Sequence, residues 1–155
     1  MLHDRFPESY QVEYREAEPR ENDFVLSCNG DRFLLRKEGD GFTFPRFREY
    51  NTPLSCRYLF AVGEERYFLQ DGCLCPSGKE FVWMDCQVFR KHSMPKRMNF
   101  AGITALHLLR WYRSHQFCGR CGGQLLHSKK ERMLFCPSCG IQTYPVIAPV
   151  VIVAV

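Results

Sequence analysis

The sequence lacks any long hydrophobic segment and any strong excess of charge of one sign. No stretch approaches the ~20 consecutive apolar residues that a membrane-spanning helix requires, and the opening residues MLHDRFPESYQ contain no apolar core of a secretory signal. Lys and Arg number 21 and Asp and Glu 17, so the net charge of +4 is too small to indicate nucleic-acid binding by itself. We therefore expect a cytoplasmic protein that does not enter a membrane.

The composition is that of a folded protein with an unusual number of thiols. Hydrophobic residues make up 45% of the 155 residues and aromatic residues 14%, which favours a packed core over disorder. The nine cysteines cannot all pair within one chain because their number is odd. In a reducing compartment they would bind metal or stay free.

The first two thirds of the chain carry the pattern of short β-strands. The pair Asn29-Gly30 separates apolar runs 24–28 and 32–35, which predicts a hairpin, since glycine and asparagine accept the positive φ angles of such turns. A second hairpin is predicted from runs 58–62 and 66–69 across residues 63–65, and a further strand at 81–84. We predict a loose, charged arm at 1–21 and a small, mostly antiparallel β-rich domain at 22–95.

The hydrophobic period changes after Pro95. Phe100, Thr104, Leu108 and Trp111 recur at helical spacing, so we predict an amphipathic helix within 96–116. The helix is expected to connect two modules.

Four cysteines then follow in the spacing of a metal site. Cys118 and Cys121 form one C-x-x-C pair, Cys136 and Cys139 form another, and fourteen residues separate the pairs. Two such pairs can close a tetrahedron of thiolates around Zn²⁺. We predict a structural zinc ribbon at 117–143, with no open position for a catalytic water. The paired spacing argues against a thiol–disulfide enzyme. The remaining thiols are interpreted as core or unpaired residues, and His115 and His127 as surface groups rather than metal ligands.

Several segments together resemble one enzyme family. WYRSHQFCGRCG, FCPSCG and the closing YPVIAPVVIVAV are similar to the NADH pyrophosphatase branch of the Nudix hydrolases, over residues 111–155. Members of that branch have a variable β-rich N-terminal domain, a four-cysteine zinc ribbon and a catalytic Nudix domain. The resemblance therefore implies that 144–155 is the first strand of a Nudix domain that this sequence does not contain. The expected fold class is α+β: β-rich domain, connecting helix, zinc ribbon and strand stub.

The resemblance also implies a function for the parent protein. In the family, carboxylates of the Nudix signature hold Mg²⁺ or Mn²⁺ and hydrolyse the diphosphate of NAD(H)-type dinucleotides, or of NAD-capped RNA, to a mononucleotide and AMP. No such signature occurs here, so the chain is expected to be inactive alone and to serve as a scaffold and in homodimer formation. Tyr144 is similar to the aromatic residue that stacks on the substrate base in the family. The alternative is that Tyr144 only packs the ribbon against its neighbour.

The residues are also compatible with a function of a different class. The chain could be a stand-alone zinc-ribbon module that binds nucleic acid or protein. Its phosphate contacts would come from basic residues in and near the ribbon, namely Arg110, Arg113, Arg120, Lys129, Lys130 and Arg132.

Overall fold

The computed structural model describes residues 9–91 and 94–146, and this part of the chain is an α+β fold. It contains one α-helix, α1 (Lys96–Ser114), and three small sheets. The strands of the β-rich region are β1 (Tyr10–Gln11), β2 (Phe24–Leu26), β3 (Cys28–Asn29), β4 (Arg32–Glu38), β5 (Gly41–Thr43), β6 (Cys56–Val62), β7 (Glu65–Gln70) and β8 (Phe81–Asp85). Those of the cysteine-rich region are β9 (Leu126–His127), β10 (Leu134–Phe135) and β11 (Gln142–Thr143). The predicted fold class is confirmed.

The first sheet is built around the second predicted hairpin. Its strand order is β1-β6-β7-β2, with β6 and β7 antiparallel and joined through a turn at Gly63, whose φ is 58°. Strand β2 adds to β7 in parallel, in the register Phe24↔Tyr67. The parallel pair is possible because 38 intervening residues, 27–64, carry the chain through the second sheet before it returns.

The second sheet contains the Asn-Gly turn, in a form that differs from the prediction. Cys28↔Phe33 and Asn29↔Arg32 pair, so the two turn residues are Gly30 and Asp31. Only Gly30 has a positive φ, 61°, which is the pattern of a type II′ turn. The predicted strand 24–28 is divided, since Phe24–Leu26 joins the first sheet and Cys28–Asn29 the second. The predicted strand at 81–84 is present as β8, antiparallel to β4.

The arm predicted at 1–21 differs from the expected loose segment over its described part, residues 9–21. Tyr10–Gln11 forms an edge strand on β6, and the Tyr10 ring lies edge-on to Phe60 and Phe100, with centroids 5.6 Å and 5.0 Å apart. Edge pairing and aromatic packing hold this segment although its sequence is charged and lacks periodicity.

Helix α1 begins directly after Pro95 and packs into the core of the β-rich region. Its buried face is centred on Met98, Ala101, Ala105 and Leu108, which join the same apolar cluster as Phe24, Phe33, Phe60 and Tyr67. The predicted stripe is therefore rotated, with Phe100 and Thr104 only half-buried. The helix is part of this core as well as a connection to the following segment. Within the described residues, no helix has the length and apolarity needed to cross a membrane.

Close approach of α1 to the short 3-10 helix Cys86–Arg90, which follows β8, depends on a glycine. A Cβ at Gly102 would lie 2.5 Å from the ring of Phe89. That ring is 2% exposed and is packed against Phe33 and Phe44, with centroids 5.0 Å and 5.8 Å away, so it has little room to move.

We predict that Gly102→Ala destabilises the protein by about 1–3 kcal/mol, because overpacking against Phe89 outweighs the roughly 1 kcal/mol by which alanine favours a helix. The urea midpoint at constant slope measures the change. Ile103→Ala, on the exposed side of the same helical turn, is the control and should change stability little. An increase in stability of Gly102→Ala would contradict the packing argument.

Candidate metal centre

The segment after α1 brings the four predicted cysteines together. Strands β9, β10 and β11 form an antiparallel sheet in the order β11-β10-β9, in which Leu134 pairs with His127 and Thr143. The sheet places the second C-x-x-C pair beside the first. The sulfur atoms of Cys118, Cys121, Cys136 and Cys139 all lie within 4.8 Å of one another.

The sulfur geometry fits a tetrahedral metal site. The Cys118–Cys139 and Cys121–Cys136 sulfur pairs are 3.5 Å and 3.4 Å apart. A tetrahedron with Zn–S bonds of about 2.3 Å has edges of about 3.8 Å, whereas a disulfide needs about 2.05 Å. All four residues are free cysteines. The donor set is closed and all-sulfur, which suits structural Zn²⁺ and leaves no position for a reactive water.

The two C-x-x-C turns have the same backbone hydrogen bonds. In the first, the Cys118 N–H donates to the Gly123 carbonyl (2.8 Å) and the Gly122 N–H to the Cys118 carbonyl (2.8 Å). In the second, Cys136 N–H donates to Ile141 and Gly140 N–H to Cys136, both at 2.9 Å. Gly122 and Gly140 have φ of 72° and 74°, a backbone region that costs side-chain-bearing residues energy. The glycines thus allow each turn to close around its two sulfurs.

Backbone donors favour the thiolate form at two of the four cysteines, Cys118 and Cys136, whereas the neighbouring thiols and burial raise the pKa of Cys121. The N–H groups of Cys121 and Arg120 lower the pKa of Cys118, and the Arg120 nitrogen lies 3.4 Å from its sulfur. Burial opposes ionisation of Cys136, but the N–H of Cys139, the Cys121 thiol and the N–H of Ser138 together lower its pKa to about 6. Preformed N–H donors around sulfur are typical of thiolate metal sites.

A small apolar cluster joins the ribbon to the helix. Trp111, at the end of α1, packs with Leu125 and Leu134 and with the buried Cys118 and Cys136. Tyr112 and Cys139 lie at its margin. The last turn of the helix therefore supplies the largest side chain of the ribbon core.

Basic residues of the ribbon and helix are largely bound within the chain. Arg132 donates to the Leu59 carbonyl of β6, and Arg113 donates to the Gly30 carbonyl at 2.5 Å. Arg110 pairs with Asp31 at 2.5 Å, and Lys129 approaches Glu16 at 3.6 Å. These contacts join the ribbon and α1 to the β-rich region rather than forming one free basic surface.

His127 is half-buried and hydrogen-bonded within the chain, which differs from the expected surface group. Its Nδ1 lies 2.5 Å from the Ser128 carbonyl. A carbonyl can only accept, so Nδ1 carries the proton and Nε2 accepts from the Tyr112 hydroxyl at 3.0 Å. Burial lowers the pKa of His127, and the positive charges of Arg57 and Arg132 lower it further. The hydrogen bond to the Ser128 carbonyl and the negative charge of Asp71 raise the pKa and oppose this shift. The neutral tautomer therefore fits this position. His115 is half-buried beside Trp111, with ring centroids 5.7 Å apart.

The other cysteines lie apart from the cluster. Cys28 is 4% exposed and belongs to the core, as predicted. Cys56 and Cys86 are half-buried at its edge, and Cys73 and Cys75 are exposed.

Tyr144 directly follows β11 and is 44% exposed. Its hydroxyl donates to Glu131 at 3.3 Å. Of the strand predicted at 144–155, residues 144–146 are not in a strand, and residues 147–155 lie outside the described part of the chain.

Comparison with known proteins identifies the ribbon. Residues 113–144 match the model of the NADH pyrophosphatase zinc ribbon domain. The ribbon belongs to the NADH pyrophosphatase branch of the Nudix hydrolases. The NADH pyrophosphatase ribbon and its flanks are similar to curated proteins called NAD-capped RNA hydrolase NudC. Identity is 46% over 55 residues for the protein of Deinococcus radiodurans, 40% over 86 for that of Klebsiella pneumoniae and 44% over 85 for that of Escherichia coli.

The similarity covers part of each protein. The alignments span 36% of this chain and 19% of the Deinococcus protein, and 49% of this chain and 33% of each of the other two. The chain thus spans a third or less of the length of the curated relatives that it matches. The shared part includes the NADH pyrophosphatase ribbon, whose four-cysteine cluster supports a structural zinc.

We predict that removal of zinc unfolds the ribbon while the β-rich core persists, because structural zinc contributes about 10–16 kcal/mol of apparent binding free energy in comparable small sites. Amide NMR signals of residues 117–143 should lose dispersion on chelation, and those of β6 and β7 should keep it. Cys136→Ser should lose bound zinc, whereas Cys73→Ser, at an exposed thiol, should retain it. An unchanged amide spectrum after complete removal of zinc would refute the structural role.

The lowered pKa of His127 predicts a stability that depends on pH. A histidine with a depressed folded pKa contributes stability that is fully present above its unfolded pKa of ~6.5 and is lost as pH falls below it. At saturating zinc, the urea midpoint should therefore decrease between about pH 7.5 and about pH 6. His127→Gln should flatten this dependence, and His107→Gln, on the exposed side of α1, should not. Equal pH slopes for all three proteins would contradict the assignment.

Proposed function

We propose that this chain is the non-catalytic N-terminal and zinc-ribbon portion of a Nudix hydrolase. The complete enzyme would hydrolyse the diphosphate of NAD(H)-type dinucleotides or of NAD-capped RNA to a mononucleotide and AMP. The observation that carries this proposal is the NADH pyrophosphatase zinc ribbon match over a segment whose four thiols converge on one point. The names of the NudC relatives support the same substrate class.

The chemistry itself requires groups that lie outside these 155 residues. Hydrolysis of a diphosphate with Mg²⁺ or Mn²⁺ needs a cluster of carboxylates to hold the metal, which neutralises charge and activates water. After Glu131 the sequence contains no aspartate or glutamate. Such a cluster would have to come from a Nudix catalytic domain beyond this segment.

In the proposed role this chain positions a base-stacking side chain. Tyr144 directly follows the last strand of the ribbon, so the sheet that the zinc site stabilises determines the position of its backbone. The hydrogen bond to Glu131 restrains the hydroxyl, and 44% of the residue is exposed. An exposed ring can stack on any flat base, for about 1–3 kcal/mol. The chain would also contribute to a homodimer, as expected from the resemblance.

The alternative of a stand-alone nucleic-acid module is less well supported. Two of the six basic residues that would form its surface, Arg113 and Arg132, donate hydrogen bonds to backbone carbonyls of the β-rich region. Phosphate binding would have to compete with those two hydrogen bonds, whereas the exposed ion pairs of Arg110 and Lys129 contribute little. A protein of this alternative type would show RNA affinity that falls steeply with salt.

A chimera tests the proposed role. Residues 1–146 of this chain replace the corresponding part of the Klebsiella pneumoniae relative, and hydrolysis of NADH and of NAD-capped RNA is measured with Mg²⁺ or Mn²⁺. We expect the chimera to be active and the 155-residue chain alone to be inactive. Tyr144→Ala in the chimera should raise KM about tenfold through lost stacking, with zinc content unchanged.

Tyr144→Phe is the matched control, because it keeps the ring and removes only the hydroxyl, and it should stay close to the unmodified chimera. Hydrolysis by the 155-residue chain alone, or equal KM for the alanine and phenylalanine variants, would contradict the proposal.

A further inference from the structure

A cleft lies where the β-rich region, the end of α1 and the ribbon meet. Its volume is about 230 Å³, and Tyr144 is not among its lining residues. Three parts of the chain contribute to it: β6, the end of α1 with the residues that follow it, and the ribbon. The lining residues are Arg57 from β6, Tyr112, His115, Gln116 and Phe117 at and beyond the end of α1, and Gln124, Leu125, His127 and Leu134 from the ribbon. Folding of the ribbon onto the sheet therefore creates this cleft.

One side of the cleft presents an aromatic ring beside free amide groups. Phe117 is 66% exposed, and its backbone bridges that of Gln124, so the two side chains stand side by side on one face. Within residues 9–91 and 94–146, the Phe117 ring has no aromatic partner, and the side-chain amides of Gln116 and Gln124 have no hydrogen-bond partner. A ring with neighbouring amides can stack on a flat heterocycle and bind the polar atoms of its edge.

The cleft is also lined by a cation that is already oriented. The Arg57 guanidinium lies 4.5 Å from the centroid of the Tyr112 ring, and the Tyr112 hydroxyl is held by Nε2 of His127. Stacking on the ring limits the orientations of the guanidinium, which reduces the entropy lost when it binds a ligand.

The charge of the cleft favours an anion. Arg57 is its one guanidinium, and no carboxylate is among the lining residues. Asp71 approaches Arg57 at 3.5 Å from the neighbouring surface, with 44% of its side chain exposed. An exposed pair of that kind contributes little, so the guanidinium can also bind a phosphate oxygen.

We propose that this cleft binds one nucleotide unit, with the base on Phe117 and the amides of Gln116 and Gln124, and the phosphate on Arg57. Its volume is below the roughly 300–1,000 Å³ of pockets for drug-sized ligands, so one base with its sugar phosphate fits the size better than a dinucleotide does. The unit can come from a free mononucleotide or from a strand of RNA. This proposal does not depend on hydrolysis or on Tyr144.

Titration of the zinc-loaded 155-residue chain tests the site. Amide NMR shifts of Gln124 and Leu125 are followed on addition of AMP, ribose 5-phosphate, adenosine or a six-residue oligoadenylate. We expect AMP to bind. Ribose 5-phosphate, which lacks the base, and adenosine, which lacks the phosphate, should each bind at least fivefold more weakly. Tighter binding of the oligonucleotide than of AMP would assign the site to RNA, and equal or weaker binding would assign it to a free nucleotide.

Variants decide whether the named residues form the site. Phe117→Ala and Arg57→Gln should each weaken AMP binding about tenfold, and Phe117→Tyr should restore it because the ring is kept. Leu126→Ala, at another exposed apolar position of the ribbon, is the matched control and should bind as the unmodified chain does.

The amides of Gln124 and Leu125 report binding in this cleft, whose lining does not include Tyr144, and this separates the site from the one in the proposed function. Zinc content is measured for every variant, so that loss of the ribbon fold is not mistaken for loss of the ligand site. The proposal is overturned if no base-containing ligand shifts these amides at millimolar concentration, or if ribose 5-phosphate binds as well as AMP.

Discussion

The convergence of four thiols is the constraint on which the rest of the ribbon depends. Its three strands have two residues each, and its apolar core has three large side chains besides the cysteines: Trp111, Leu125 and Leu134. So little buried surface cannot offset the conformational entropy of ordering the segment. Metal coordination supplies the stabilising free energy that packing does not supply. The positions of the side chains that the ribbon exposes therefore depend on the metal site.

The ribbon is joined to the β-rich region mainly by directional contacts. Trp111 supplies the apolar link, while Arg132 reaches the Leu59 carbonyl and His127 accepts from Tyr112. Such contacts define an orientation, because each needs its donor and acceptor in place. Arg113 and Arg132, which were candidates for phosphate binding, act instead in holding two parts of the chain together, and the cleft beside Arg57 results from that arrangement.

Local chemistry made much of the fold predictable. The hairpin at Gly63, strand β8 and helix α1 follow from short-range patterns of turn residues and hydrophobic period. The prediction of strands was less accurate where one segment could pair with more than one other strand. Residues 24–28 are one apolar run in sequence, yet Phe24–Leu26 pairs in parallel with β7 and Cys28–Asn29 turns into the other sheet. Pairing between distant strands depends on contacts that no local pattern contains.

The sequence by itself determined the metal centre, because the spacing within and between two C-x-x-C pairs limits how four sulfurs can meet. It also determined the family of the ribbon, through residues that lie next to those cysteines. Only the tertiary structure decided what the neighbouring side chains do. His127 became a half-buried hydrogen-bond acceptor, and Arg57 came to lie over Tyr112. Their partners are distant in sequence, and the solvation and charge of a side chain are set by what folding places beside it.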